Sequence, residues 1–78
     1  MDTKTLKRKC NMKFHEIINA YDNEEIERDE ALKGMKNNAR EFRSMLRGLI
    51  EYDLITTEQY IVLNDWLKEA HELYEERL

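Results

Sequence analysis

An all-α fold, arranged as an up-down-up three-helix bundle with a long central helix, is predicted by three observations on this 78-residue chain. It contains no proline and only two glycines, whereas strands and tight turns draw on Gly, Pro and β-branched residues. Leu32, Met35, Ala39, Phe42, Leu46 and Leu49 recur three or four residues apart, which is a heptad-like apolar seam along one helix. Two short polar junctions, each with an isoleucine just ahead of an acidic turn, divide the chain into three periodic stretches. Charged residues make up 38%, a level at which disorder competes, but the regular apolar spacing and the aromatic residues argue for a packed core.

The first helix is expected over about 3–22, with Leu6, Cys10, Phe14, Ile17, Ile18 and Tyr21 inward. The second spans about 28–52 and carries the Leu32–Leu49 seam. The third spans about 57–77. Thr56 is placed to cap it, Gln59 to complete a capping box, and Ile55 with Tyr60 to form a hydrophobic staple. The junctions Tyr21–Ala31 and Tyr52–Tyr60 resemble each other and read as two convergent helix starts rather than an internal repeat. Short connections make sequential helices antiparallel neighbours. Residues 1–78 therefore form a single helical domain, near the lower size limit for a self-sufficient core.

Charge is distributed in alternating blocks. Lys33, Lys36, Arg40, Arg43 and Arg47 each follow an apolar seam residue or flank it, giving the second helix a cationic stripe. Asp65, Glu69, Glu72 and Glu76 form an acidic row on the third helix. If the two helices meet near Leu54, Arg43 falls beside Asp65 and Trp66, Arg40 beside Glu69, Lys36 beside Glu72, and Lys33 beside Glu76. Four such ion pairs would act on register more than on stability, at ~0.2–1 kcal/mol each when exposed. The formal net charge is −4, but one pole gathers Asp22, Glu24, Glu25, Glu27, Asp29, Glu30, Glu72, Glu75 and Glu76. The opposite pole holds Lys4, Lys7, Arg8, Lys9, Arg43 and Arg47, moderated by Glu51, Asp53 and Glu58. A dipole of this kind steers encounters and discriminates between partners.

Chemistry-bearing constellations are sparse. His71 and Glu75 are the only His–carboxylate pair one helical turn apart, and Lys68 stands where a Glu-x-x-His motif needs Glu, so no metal or other cofactor is expected. There is no Gly-rich phosphate loop, no Cys-x-x-Cys and no nucleophile beside a base, so the chain is not expected to be an enzyme. Cys10, between Leu6 and Phe14 on the apolar face, reads as a small core residue. A single cysteine and a charged N-terminus without an apolar run suit a cytoplasmic protein, and no apolar run suits a membrane span.

Binding is the remaining class. Lys4, Lys7, Arg8, Lys9 and Lys13 work against the macrodipole of the first helix, which a phosphate backbone would reward, with Arg43 and Arg47 adding to the patch. The third helix carries a stripe of Tyr60, Leu63, Leu67, Ala70 and Tyr74 that Val62, Trp66 and Leu73 widen. Trp66, where exposed, is the natural apolar anchor of an interface. Met12 and Met45 lie off the main seams, and the leftover stripe offers a twofold dimer. Gly34 and Gly48 call for a close neighbour to offset their cost in a helix, and Asn37-Asn38 has no evident role there.

The sequence thus predicts a non-enzymatic interaction module, a small acidic regulator or inhibitor. Its acidic pole would dock on a larger protein with a basic, nucleic-acid-handling surface. The alternatives are a small DNA-binding regulator using the basic N-terminal helix, and a structural homodimer. In size and composition the chain resembles small accessory proteins of bacteriophages and mobile elements, including those that disarm host defence. That resemblance is one of general character, carried by no motif.

Overall fold

The computed structural model describes residues 2–78, so Met1, with which the expected domain begins, lies outside the described residues. The chain is all-helical, with α1 at Thr3–Asp22, α2 at Arg28–Glu51 and α3 at Thr57–Glu76. The expected ends of α2 and α3 each fall one residue late, because Tyr52 and Arg77 are the capping residues beyond the last helical turn.

Local chemistry accounts for the starts. Asp2 caps α1, its carboxylate accepting from the Lys4 N–H at 3.0 Å and from the Thr5 hydroxyl at 3.0 Å. That anion at the N-terminus offsets part of the penalty imposed by the lysines behind it, and the two donors hold its carboxyl below the usual carboxylate value. Thr56 and Gln59 form the expected capping box, at 3.0 Å and 2.9 Å. Glu27 precedes α2 without any side-chain cap, leaving Asp29 and Glu30 in its first turn to answer the macrodipole.

The two helix ends are built alike. After α1, the Glu24 N–H bonds the Tyr21 carbonyl at 3.1 Å and the Glu25 N–H bonds the Ala20 carbonyl at 2.9 Å. After α2, Asp53 bonds Ile50 at 3.1 Å and Leu54 bonds Leu49 at 2.8 Å in the same pattern. Both are Schellman turns, in which the residue after the cap must adopt a left-handed conformation; Glu24 has φ 60° and Asp53 φ 57°. Neither is glycine.

The core joins all three helices through Leu6, Cys10, Phe14 and Ile18, then Met35, Ala39, Phe42 and Leu46, then Ile55, Leu63 and Leu67. Ile17 and Tyr21, expected inward, are half-buried. The α2 seam is rotated from the expected one at its start: Ala31 is fully buried and Leu32 only half so. Asn38 also lies inside, its amide nitrogen 3.1 Å from the Cys10 carbonyl oxygen. Gly34 lets the Ile17 side chain of α1 lie close, since an added Cβ would meet Ile17 Cδ1 at 3.2 Å. The neighbour that Gly34 calls for is therefore within the fold. Gly48 has open space beside it.

Candidate functional site

The C-terminal end of α3 is tied to the first junction. The Leu78 carbonyl accepts from the Tyr21 hydroxyl at 3.3 Å and from Arg28 Nε at 3.2 Å. Glu72, Glu75 and Glu76 are thereby carried to the end of the molecule that holds Asp22, Glu24, Glu25, Glu27, Asp29 and Glu30. The left-handed turn at Glu24 directs the chain into α2, whose first turn presents Asp29 and Glu30. Of these nine acidic residues only Glu75 is half-buried, and the rest are exposed. Among the described residues the ion pairs are Lys13–Glu41 at 3.5 Å and His71–Glu75, so eight of the nine carboxylates pair with no cation. The elongated shape, 42 × 18 × 17 Å, separates the two ends.

The basic residues are also on the surface. Lys4, Arg8, Lys9, Lys13, Arg43 and Arg47 are exposed, and Lys7 is half-buried with its ammonium 5.6 Å from the Trp66 ring centroid. The four ion pairs expected between α2 and α3 are not formed. The register behind them is nonetheless close, because the Phe42 and Trp66 rings meet edge to face at 5.7 Å, one residue from the expected Arg43–Trp66 neighbours. Long charged side chains at such a seam gain little by closing on each other in water and lose rotamer freedom if they do. Lys33, Lys36 and Arg40 likewise stay exposed.

Trp66 is not a free anchor. It is half-buried, packed on Phe42 and covered by Lys7. The flanks of the α3 stripe are another matter: Val62 is 55% exposed and Leu73 62%. They border two hollows between α1 and α3, one lined by Thr3, Lys7, Glu58 and Val62 and the other by Asn11, Trp66, Glu69, Leu73 and Arg77. Met12 and Met45 are exposed, as their off-seam positions suggest. Sequence reasoning missed Tyr52, which is 79% exposed, and Leu54, both beside the second junction. The available signal was their place after the last seam residue of α2 and before the Thr56 cap, where no helix face claims them.

The polar interior is small and mostly satisfied. Burial pushes the Cys10 thiol up to about 11, with the Asn38 amide at 3.7 Å from Sγ acting against that rise. A thiol so placed is a poor nucleophile at neutral pH. The Tyr74 hydroxyl donates to Asn11 Oδ1 at 3.3 Å and lies 3.0 Å from His15 Nε2, and its own pKa is raised by burial. Phe14 stacks with Tyr74 at 4.7 Å and with His71 at 6.0 Å. His71 Nε2 lies against Glu75 Oε1 but out of hydrogen-bond alignment. Among the described residues no three His, Cys, Asp or Glu side chains are grouped to hold a metal ion, and no helix is long and apolar enough to cross a membrane. Compared with protein-family models, with curated proteins and with solved structures, the chain matches none.

Proposed function

We propose that the protein is a non-enzymatic, cytoplasmic interaction module whose acidic end docks on a basic surface of a larger, nucleic-acid-handling protein. It would act there as a regulator or inhibitor by competing with DNA or RNA. The architecture behind this reading is an up-down-up three-helix bundle with α2 as the long central helix, in which the end of α1, the start of α2 and the end of α3 share one pole. The observation that carries it is the double hydrogen bond to the Leu78 carbonyl, which holds the two acidic segments together with all of their acidic residues but Glu75 exposed. Unpaired carboxylates clustered on one end repel each other, a cost that a cationic partner would relieve. The general likeness to small accessory proteins of bacteriophages and mobile elements fits such a role.

The test is a pull-down from host lysate, with and without nuclease. It compares wild type with a variant in which Glu24, Glu25, Glu27 and Glu30 become Gln and Asp29 becomes Asn. A stoichiometric protein partner is expected that survives nuclease and is lost from the variant. Recovery of nucleic acid alone, unchanged by the variant, overturns the reading.

A second reading, a DNA-binding regulator, draws on the exposed and unpaired cations of α2 together with Lys4, Lys7, Arg8, Lys9 and Lys13. Changing Lys7, Arg8 and Lys9 to Glu should abolish DNA binding under this reading and spare protein binding under the first.

A further inference from the structure

The face of α3 bordering the two α1–α3 hollows carries Glu58, Val62, Trp66, Glu69 and Leu73, and the capping residue Arg77 continues it. Their spacing reads the same in both directions about the midpoint between Leu67 and Lys68. Turning the helix end for end about that midpoint exchanges Glu58 with Arg77, Val62 with Leu73, and Trp66 with Glu69. A second copy laid antiparallel on this face would set Glu58 opposite Arg77 of the second copy, twice by symmetry. It would also set Val62 against Leu73, again twice. At the centre, Glu69 of the second copy would approach Lys7 where that ammonium already covers Trp66.

We infer that this face is a twofold, self-complementary interface and that the protein associates through it as an antiparallel α3–α3 homodimer. Charge complementarity selects the occupant. Within the row Glu58 is acidic and Arg77 basic, so a copy in the reverse direction pairs the two at both ends, whereas a parallel copy would oppose Glu58 to Glu58 and Arg77 to Arg77. Val62 and Leu73 are each more than half exposed and supply the apolar contacts that flank the centre. From Glu58 to Arg77 the face is about 28 Å long at 1.5 Å per residue, enough for a seam between two helices. None of these residues is one of the nine acidic ones, although Arg77 adjoins them next to Glu76; self-association and partner capture are separate readouts, so the inference and the proposed docking function can fail independently.

The experiment is a charge swap read by sedimentation equilibrium over ~1 μM to ~1 mM protein, a range that spans weak to moderate dimers. Four chains are compared: wild type, Glu58→Arg, Arg77→Glu and the double variant. Wild type is expected to dimerise. Each single reversal places like charges together at both ends and should weaken the dimer by about tenfold or more, and the double variant should recover most of that loss. Because both side chains are exposed, helical content by circular dichroism should match in all four chains. A further variant, Leu73→Glu, should be monomeric throughout. Any of three results overturns the inference: wild type monomeric over the whole range, single reversals as tightly dimeric as wild type, or a double variant no tighter than the singles.

Discussion

Asn38 of α2 reaches into the core to donate to the carbonyl of Cys10 in α1, across 3.1 Å. That bond gives the buried amide a partner and fixes the rotation of one helix against the other. Truncation to Ala should cost about 1 kcal/mol in urea unfolding. Asn38→Asp is the sharper test. Burial would hold its folded-state carboxyl above the unfolded value, so the variant should lose stability as pH rises past about 4, where the unfolded chain ionises. The gap to wild type should be small at pH 3 and wide at pH 7, by urea midpoints at the two pH values.

The thiol beneath that bond gives a second outcome. Cys10 ordinarily would titrate at 9.0 and in the fold does so at about 11. The folded protein therefore prefers the protonated thiol. Stability from this source is full below the unfolded pKa, begins to fall as pH rises past it, and is lost by the time pH passes the folded value. Tyr74, raised in the same direction by burial, adds to the decline. Urea midpoints from pH 8 to pH 11 should drop more steeply for wild type than for Cys10→Ala. A thiol-specific reagent at pH 8 should modify the folded chain at the rate of its opening rather than at that of a free cysteine.

Glu24 occupies the left-handed position of its turn, at φ 60°. A side chain with a Cβ is disfavoured there and glycine is not, so Glu24→Gly should stabilise the protein by about 0.5–1 kcal/mol. Asp53, at φ 57°, is a residue type that tolerates this conformation better, and Asp53→Gly should gain less. Thermal midpoints of the two variants would rank them, and Asp53→Gly gaining more than Glu24→Gly would contradict the argument.

The two glycines of α2 should part company on substitution. Gly48 has nothing within 4 Å of an added Cβ, so Gly48→Ala should gain about 1 kcal/mol from helix propensity alone. Gly34→Ala would press on Ile17 Cδ1 at 3.2 Å and should fall short of that gain. Equal gains at the two sites would show that Ile17 moves aside at no cost.

Much of the helical layout was legible because each boundary rests on short-range chemistry. Thr56 and Gln59 mark the start of α3, and the period of Leu6, Cys10, Phe14 and Ile18 marks the buried face of α1. What escaped depends on rotation and solvent. A polar residue such as Asn38 reveals its burial only once the neighbouring helix is in place, and a small shift in that rotation trades Leu32 for Ala31. The α2–α3 ion pairs failed for a different reason: opposite charges in register are a statement about backbone proximity, and water decides whether the side chains close. In the candidate site, the meeting of the end of α3 with the first junction followed from helix lengths, whereas the exposure of Tyr52 and Leu54 and the covering of Trp66 by Lys7 needed three dimensions.

The matched turns after α1 and α2 bear on how the chain reaches its fold. Each ends its helix and redirects the backbone within a few residues using only local hydrogen bonds, so each helix can find its sequence neighbour with little loop to close. A topology built from two such local closures has low contact order and belongs with the microsecond-to-millisecond folders. The two junctions are separate local elements of similar geometry, and the α1–α3 contacts around Phe14 and Tyr74 are the long-range ones that neither junction supplies.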